Sequence, residues 1–339
     1  MKFKATLPVL LLALSPVAIA LALAVSVAYG SKAIPLDTIR DALLHFDPDN
    51  VDHQIVRHSR LPRAAGSLLI GAFLAVSGAL MQGMTRNYLA SPSILGISDG
   101  SVFAITLCMV LAPNSSMLAM IFYSLLGSAF SVIVVFGLAA SVFSRLSPVS
   151  LAILGTVIGT FLSSVSAALA TYFQVSQNIS FWYNARLHQL DPGMIQLAIP
   201  FAVVGLVLAL LLSKSVTILS LGEDVSAGLG VKTTAVKLAV MGSVVLLTGI
   251  AVALAGKIGF VGLLVPHIVR MIARVVDYRW IVPLSAAFGG LFLTLCDVGS
   301  RFLNYPFEMP IGVVTAVFGV PFFLYLIRTK GGGMRAGKD

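Results

Sequence analysis

Apolar segments of membrane length recur along the whole chain, and they constrain its fold more than any other feature. A helix needs about 20 apolar residues to cross a bilayer, and only helices or closed barrels satisfy their backbone groups inside one. Because 58% of the residues are hydrophobic and only 10% are charged, a soluble domain, a disordered chain and a nucleic-acid binder are excluded. The sequence predicts an all-α polytopic membrane protein with one transmembrane domain over residues 1–339, an embedded core at 7–329 and a tail at 330–339. The predicted spans are 7–29, 62–82, 93–112, 117–143, 149–172, 194–213, 237–256, 258–273, 282–303 and 311–328.

Two of these spans need a comment. The first, Leu7 to Tyr29, resembles a signal peptide, but its apolar region is too long and lacks a clear cleavage site, so we expect it to be retained. The eighth is short and contains Pro266, which leaves open whether it crosses as one straight helix. Cys108 and Cys296 lie inside apolar runs, which predicts buried free thiols.

The basic charge of the chain predicts its orientation. A net charge of +9 would suggest nucleic acid in a soluble protein, but lysine and arginine in a membrane protein collect on the cytoplasmic side. With the N-terminus inside, most of the 22 lysines and arginines fall in cytoplasmic segments. The sequence therefore predicts cytoplasmic termini and a cytoplasmic loop at 214–236.

The segment 221–230 is the longest polar interruption in the second half of the chain. Ser220 and Glu223 have the spacing of a capping box at a helix start. Glu223 and Asp224 then lie in the first turn, where the helix dipole favours negative charge. Gly230 suits the left-handed residue that follows a helix. The pattern predicts a short capped helix outside the membrane.

One face of this short helix has a distinct composition. Leu221, Val225 and Leu229 recur every four residues and form a single stripe. Ala227 and Gly228 add small side chains that permit close approach. Two interpretations remain open: a simple connecting loop with a helical turn, or a docking element for a soluble partner.

Several charged or small residues have both a structural and a functional interpretation. Arg60 and Arg63 stand at a helix entrance, either as headgroup anchors or as acid-binding groups. Asp297 and Arg301 have the i, i+4 spacing of an ion pair. The small residues of the fifth span either pack helices or form the wall of a wide translocation path; these are Gly155, Gly159 and Ser163. A metal cluster in the external segment 30–61 is conceivable, but its spacing fits no tight site, and we assign no metal; its residues are His45, His53, His58, Asp47, Asp49 and Asp52.

Four ordered motif blocks resemble the permease family of ATP-binding-cassette (ABC) importers for iron-siderophores, haem and vitamin B12, the FecCD type. The segment 221–230 resembles its coupling loop, Leu-Gly-x-x-x-Ala-x-x-Leu-Gly, with Ser226 and Ala227 where the small residue belongs. The segment 60–97 contains Arg-Leu-Pro-Arg, Ser-Gly-x-x-x-Gln, Arg-Asn-x-Leu-Ala-x-Pro and Leu-Gly-Ile. The segment 256–270 contains Gly-x-Ile-x-Phe-Val-Gly-Leu-x-x-Pro-His-x-x-Arg, and 308–323 contains Glu-x-Pro-Ile-Gly and Gly-x-Pro-x-Phe. Tyr88 replaces the usual proline, which we expect to change only the local turn, and Ala185-Arg186 replace a Gly-Ser pair.

The resemblance implies a ten-span permease subunit of a type II ABC importer in the bacterial cytoplasmic membrane. It implies a second permease subunit in a homo- or heterodimer, two ABC ATPase subunits and an extracytoplasmic substrate-binding protein. Ferric siderophore is the favoured cargo, with haem or cobalamin as the alternative. No cofactor is expected on this chain, since ATP and Mg would bind the ATPase partners.

The same resemblance assigns roles to individual residues. Docking of the binding protein is implied for Arg60, Arg63 and Arg301. ATPase coupling is implied for Leu221, Gly222, Glu223, Ser226, Ala227, Gly228, Leu229 and Gly230. The cytoplasmic gate or the path lining is implied for Ser147, Pro148, Gly155, Gly159 and Ser163. A structural role in the motifs is implied for Gln82, Asn87, Pro92, Pro266, His267, Arg270, Glu308, Pro310 and Gly312.

Other classes of protein were weighed against this one. Neither Gly-Lys pair, at 256–257 and 337–338, is followed by the Ser or Thr of a nucleotide-binding loop, so we do not expect this chain to be an ATPase. An ion-coupled transporter needs several buried acids, and the sequence offers only Asp99 and Asp297, which are expected near span ends. A membrane scaffold would not need the capped cytoplasmic helix.

Overall fold

The computed structural model describes residues 6–30, 32–142, 148–184, 187, 190–303 and 307–331. Within these ranges every regular element is helical, as predicted. The helices are α1 (Thr6–Ala28), α2 (Leu36–Leu44), α3 (Val51–Ile55), α4 (Leu61–Thr85), α5 (Ile97–Leu111), α6 (Met117–Val142), α7 (Pro148–Tyr172), α8 (Ser176–Asn184), α9 (Pro192–Leu219), α10 (Glu223–Gly228), α11 (Thr233–Ala255), α12 (Val261–Ala273), α13 (Tyr278–Phe302) and α14 (Ile311–Gly331). A π-helical turn, Val56–Arg60, joins α3 to α4.

Each predicted span coincides with a helix, but three helices are short. Seven candidate spans are long and apolar enough to cross a membrane, whereas the apolar parts of α5, α12 and α14 are shorter. With 13 residues, α12 is about 20 Å long, less than the roughly 30 Å of a bilayer core. Pro266 does not break it: the helix continues through this residue and is short because it begins only at Val261.

The centre of the bundle is formed by α4 and α11. Their most apolar windows are 78% and 72% buried, against 28% for α6, α7 and α9. Glycines bring α4 against its neighbours, because a Cβ at Gly71 would lie 2.2 Å from the carbonyl oxygen of Gly289 in α13. Likewise, a Cβ at Gly78 would lie 1.8 Å from the carbonyl oxygen of Gly262 in α12. Helices without bulky side chains at the contact approach this closely in membranes.

Short helices mark the two ends of the bundle. One end, called here the α2 end, carries α2 between α1 and α4. This helix begins after Pro35, and its Ile39 is buried, whereas Leu43 and Leu44 are exposed. The opposite end, called the α10 end, carries α10 between α9 and α11. Both cysteines are free and buried, as predicted.

Candidate functional site

The short helix α10 forms where the sequence predicts it, but its start is different. Its N-cap is Gly222, at φ +125°, and no side chain caps it. Because α9 continues to Leu219 instead of ending near 213, Ser220 closes α9 and donates to the carbonyl of Thr217. The predicted capping box is therefore wrong. Glu223 lies in the first turn and pairs with Lys237 of α11 at 2.6 Å.

The end of α10 matches the sequence prediction. Gly230 adopts a left-handed φ of +78°. Its N–H donates to the carbonyl of Ala227, and the next N–H, of Val231, donates to that of Ser226. This pair of bonds is a Schellman motif, which satisfies the last carbonyls of a helix and fixes the direction in which the chain leaves it.

An apolar stripe on α10 faces away from the bundle. Leu221, Val225 and Leu229 are 63%, 50% and 62% exposed. Ala227 and Gly228 are also exposed, and a Cβ on Gly228 would meet nothing within 4 Å. Contiguous exposed apolar residues on a rigid, capped element are typical of a surface that another protein covers.

Ser226 does not belong to this exposed face, so any part it has in coupling is indirect, through the position of α10. Its side chain is fully buried. The hydroxyl donates to the carbonyl of Ile218, at 2.9 Å, and to that of Gly222. Ser226 therefore holds α10 against the end of α9, so that the opposite side of the short helix faces outward.

Near the α10 end, Gln82 of α4 binds the backbone of α12. Its amide nitrogen lies 3.2 Å from the carbonyl oxygens of Gly262 and Leu263. The oxygen of the same amide accepts from Arg270. Pro266 has no N–H for the carbonyl four residues before it, which is that of Gly262. Gln82 thus supplies a bond that the helix itself cannot make.

Tyr88, which replaces the usual proline, does more than change a turn. Its ring lies edge-on to His267 at 6.1 Å, and the guanidinium carbon of Arg270 lies 4.6 Å from the ring centroid. His267 also contacts the ring of Phe322 at 5.6 Å. His267 and Arg270, three residues apart on α12, therefore both pack on the Tyr88 ring at the α10 end, consistent with a structural role for His267. A cation over a tyrosine ring contributes about 0.5–2 kcal/mol.

Asn87 and Pro92 shape the connection between α4 and α5. The Asn87 side chain accepts from the N–H of Leu89 at 2.9 Å, which makes a local turn. The carbonyl of Pro92 accepts from the N–H of Ile97, the first residue of α5. This connection explains why α5 begins later than the predicted 93.

At the α2 end, two of the three predicted docking arginines share a buried carboxylate. Arg63 contacts Asp297 at 2.8 Å and Glu308 at 2.8 Å. Arg301 pairs with the other oxygen of Asp297, which confirms the i, i+4 pair, and donates to the carbonyls of Ser26 and Tyr29 at 2.6 Å. Sequence reasoning missed the partnership of Arg63, because its carboxylates lie 234 and 245 residues away along the chain.

The guanidinium of Arg60 is also bound within the chain, by backbone carbonyls. It donates to the carbonyls of Val27 and Ala28 at the end of α1, and to that of Lys32. Arg60, Arg63 and Arg301 are only 5%, 7% and 3% exposed. In this conformation their donors bind the chain's own carbonyls and carboxylates and join α1, α4 and α13, and their role in docking stays a prediction.

The last motif block completes the α2 end. Glu308 forms a salt bridge with Arg63. The N–H of Met309 donates to the carbonyl of Ser300 at 3.1 Å. The carbonyl of Pro310 accepts from Val313 in the first turn of α14. Gly312 shows no such contact: within the part of the chain that the structure describes, a Cβ there would meet nothing within 4 Å.

Two glycines expected to line a path instead pack α7 against the start of α5. A Cβ on Gly155 would lie 2.5 Å from the Cα of Leu95, and one on Gly159 would lie 2.8 Å from the Oδ2 of Asp99. Both glycines are buried, which favours the interpretation as helix packing for them. Ser163 is partly buried and binds Asp99. Ser147 and the side chain of Pro148 lie outside the described residues.

An open cavity of about 610 Å³ lies beside the middle of α7. Hydroxyls of Thr156, Thr160 and Ser164 line it, together with Asp99 and Lys257. Sequence reasoning missed these hydroxyls, although their spacing of four residues on an apolar helix was a readable signal. It also placed Asp99 near a span end, whereas the packing on Gly159 and Ser163 places it opposite the middle of α7.

Asp277 connects two helices at the α10 end, outside the spans. It caps α13 through the N–H of Arg279 and accepts from Thr217 of α9. The hydrogen bond from the Arg279 guanidinium holds the pKa of this carboxyl below its ordinary value. Asp277 is therefore charged at neutral pH and fixes the position of α13 relative to α9.

Comparison with known proteins agrees with this architecture. The FecCD transport family matches residues 18–329. The iron-uptake system permease protein FeuB of Bacillus subtilis is 60% identical over 323 residues, covering 95% of this chain and 96% of FeuB. The iron(3+)-hydroxamate import system permease protein FhuB of the same organism is 45% identical over 311 residues, covering 91% of this chain and 80% of FhuB.

A solved structure shows the same fold. It is described as an inward-facing conformation of a metal-chelate type ABC transporter, and it superposes with a TM-score of 0.78 at 26% identity, covering 94% of this chain and 98% of that one. The resemblance inferred from the four motif blocks is confirmed over nearly the whole length, in sequence and in fold. The chain therefore belongs to the FecCD transport family.

Proposed function

We propose that this chain is the membrane-spanning permease subunit of an ATP-driven importer of ferric siderophores. The observation that carries the proposal is α10, a capped helix whose apolar stripe, Leu221, Val225 and Leu229, is exposed at one end of a membrane bundle. An exposed stripe of this kind requires a protein partner, and in this family that partner is an ATPase. Conformational changes of the ATPase would then be transmitted to the bundle through α10. For this, the contacts between α10 and the ATPase must differ between the states of the ATPase.

The assembly has the composition expected of such importers. Two permease subunits form one path, two ATPase subunits carry ATP and Mg and bind at the α10 end, and an extracytoplasmic protein delivers cargo at the α2 end. This arrangement places the α10 end and both termini in the cytoplasm. Docking of the delivery protein on Arg60, Arg63 and Arg301 stays a prediction. In the conformation of this structure their donors bind groups of the chain itself and join the helices of the α2 end.

The cargo is proposed from the relatives. FeuB belongs to an iron-uptake system and FhuB to an iron(3+)-hydroxamate import system, and both match this chain over more than 90% of its length. Iron chelates are therefore the favoured cargo class, ahead of haem and cobalamin.

Purification and transport test this proposal together. Affinity-tagged chain extracted from its host membrane should carry an ATPase subunit that contains a nucleotide-binding loop. Right-side-out vesicles that contain the complex, with ATP inside and the substrate-binding protein outside, should accumulate radiolabelled ferric siderophore, whereas inverted vesicles given ATP outside should not. Uptake without ATP that stops when an ionophore collapses the proton gradient would instead support an ion-coupled transporter.

A further inference from the structure

An ion pair of a buried carboxylate and a partly exposed ammonium borders the cavity beside α7. The Lys257 ammonium lies 2.5 Å from the Oδ1 of Asp99, and the Ser163 hydroxyl donates to the same oxygen at 2.7 Å. Lys257 stands in the connection between α11 and α12, whereas Asp99 lies in the first turn of α5. The pair therefore joins three parts of the bundle at the depth of the middle of α7.

The two members of the pair differ in exposure. The side chain of Asp99 is 6% exposed and that of Lys257 is 38% exposed. Both groups border the cavity, but the ammonium is the more accessible member of the pair. Ionisable groups inside a membrane bundle are costly, and their usual reason is function.

The carboxylate has further stabilisation that the ammonium lacks. Asp99 lies at the N-terminus of a 15-residue helix, where the dipole favours negative charge, and it accepts from Ser163. Lysine has three N–H donors, and among the residues that the structure describes its hydrogen-bond partner is Asp99. The ammonium can therefore turn toward a second anion without leaving Asp99 as an unsatisfied charge.

From this geometry we infer that Lys257 is a contact site for the anionic oxygens of a metal chelate crossing the bundle, with Asp99 as the partner that holds the ammonium between passages. Thr156, Thr160 and Ser164 line the same cavity. The hydroxyls of Thr156 and Ser164 donate to carbonyls of α7 at 2.8 and 2.9 Å, and their oxygens can accept hydrogen bonds from N–H or O–H groups of the chelate. Carboxylate and catecholate oxygens are the matching chemistry, because each accepts a charge-assisted bond from an ammonium. The inference rests on the proposed function and specifies the cargo as anionic.

Charge variants of Lys257 test it in vesicles that contain the whole complex. The probes are a ferric tris-catecholate, which is anionic, and a ferric tris-hydroxamate, which is uncharged. Lys257→Met should lower the initial uptake rate of the tris-catecholate by roughly tenfold, the effect of one charge-assisted bond, and Lys257→Arg should keep most of it. The double variant Asp99→Asn with Lys257→Met removes the charge imbalance and should remain slow. Recovery of the wild-type rate in the double variant would overturn the inference and leave the pair with a purely structural role.

A chemical rescue keeps the test independent of folding. Lys257→Cys should react with an aminoethyl thiosulfonate, which restores a cation, and regain uptake, while the sulfonatoethyl reagent should not restore it. The parent chain is the control, because Cys108 and Cys296 are buried. Equal recovery with both reagents would also overturn the inference. So would a parent complex that transports the uncharged chelate but not the anionic one. Absence of ATP-driven uptake in the parent complex would instead contradict the proposed function.

Discussion

Gln82 donates to the backbone oxygen that Pro266 leaves without its helical partner. The acceptor is the carbonyl of Gly262, four residues before the proline and 3.2 Å from the Gln82 amide nitrogen. Gly78, one turn earlier on α4, has no side chain and lets α12 come this close. Motif residues that stand 180 positions apart therefore form one unit, in which α4 completes the hydrogen bonding of a short helix inside the membrane.

This relationship predicts an interaction between two substitutions. Gln82→Leu leaves the Gly262 carbonyl and Arg270 without their partner and should lower the stability of the solubilised protein by about 1–3 kcal/mol. Adding Pro266→Ala restores an N–H at position 266 that can bond to Gly262 within α12. The double variant should therefore be more stable than the sum of the single effects, by about 0.5–3 kcal/mol for groups in direct contact. Thermal unfolding of the four proteins measures this coupling, and strictly additive effects would show that Gln82 and Pro266 act separately.

The buried charges at the α2 end predict a stability effect at Arg63. Arg63→Met removes the cation that pairs with Asp297 and Glu308. Breaking a buried pair of this kind costs about 3–5 kcal/mol. The variant should give a lower midpoint of thermal unfolding and less protein in the membrane. Arg40→Met is the matched control, because Arg40 is exposed on α2, and its stability should be unchanged. If the Arg63 variant were as stable as this control, the network would contribute nothing to the fold.

The positions and order of the apolar helices were predictable because each depends on a local run of apolar residues, whereas the short helices α3 and α8 were not predicted. The left-handed Gly230 and the stripe on α10 were predictable for the same reason, since three- and four-residue spacings decide both. The capping box failed because it depended on where α9 ends. The apolar run stops near 213, yet the helix continues to Leu219 through Lys214 and Ser215, and Ser220 then serves the end of α9 instead of the start of α10.

Contacts between distant segments were outside the reach of local patterns. Arginines near a predicted membrane surface were interpreted as docking groups, but the acids that occupy Arg63 lie on α13 and before α14. The small residues of α7 were compatible with two roles, and only the packing separated Gly155 and Gly159, which face α5, from the hydroxyls that face the cavity. Residue types limited the possibilities, and the three-dimensional arrangement decided among them.

Labelling at α10 and α2 should show on which side of the membrane each lies. Ala227→Cys on α10 is exposed and should react with an impermeant maleimide only after the cells are permeabilised. Arg40→Cys on α2 should react in intact cells. Ser226 is unsuitable for this purpose because its side chain is fully buried, and the buried Cys108 and Cys296 should give little background. Labelling of Ala227→Cys in intact cells at the level of Arg40→Cys would reverse the proposed orientation.

The exposed face of α10 predicts loss of coupling without loss of folding. Gly228→Glu and Ala227→Arg place a charge on a surface where a Cβ at 228 meets nothing within 4 Å, so neither should disturb the bundle. In contact with a partner, however, each new charge would be buried beside the apolar stripe, which costs about 3 kcal/mol or roughly a hundredfold in affinity. Both variants should therefore reach the membrane at normal levels, copurify less ATPase and lose ATP-driven uptake. Leu44→Glu adds a charge at an equally exposed residue of the α2 end and should keep the ATPase bound. Normal copurification and normal uptake in both α10 variants would mean that the ATPase binds elsewhere, and the apolar stripe would then need another partner.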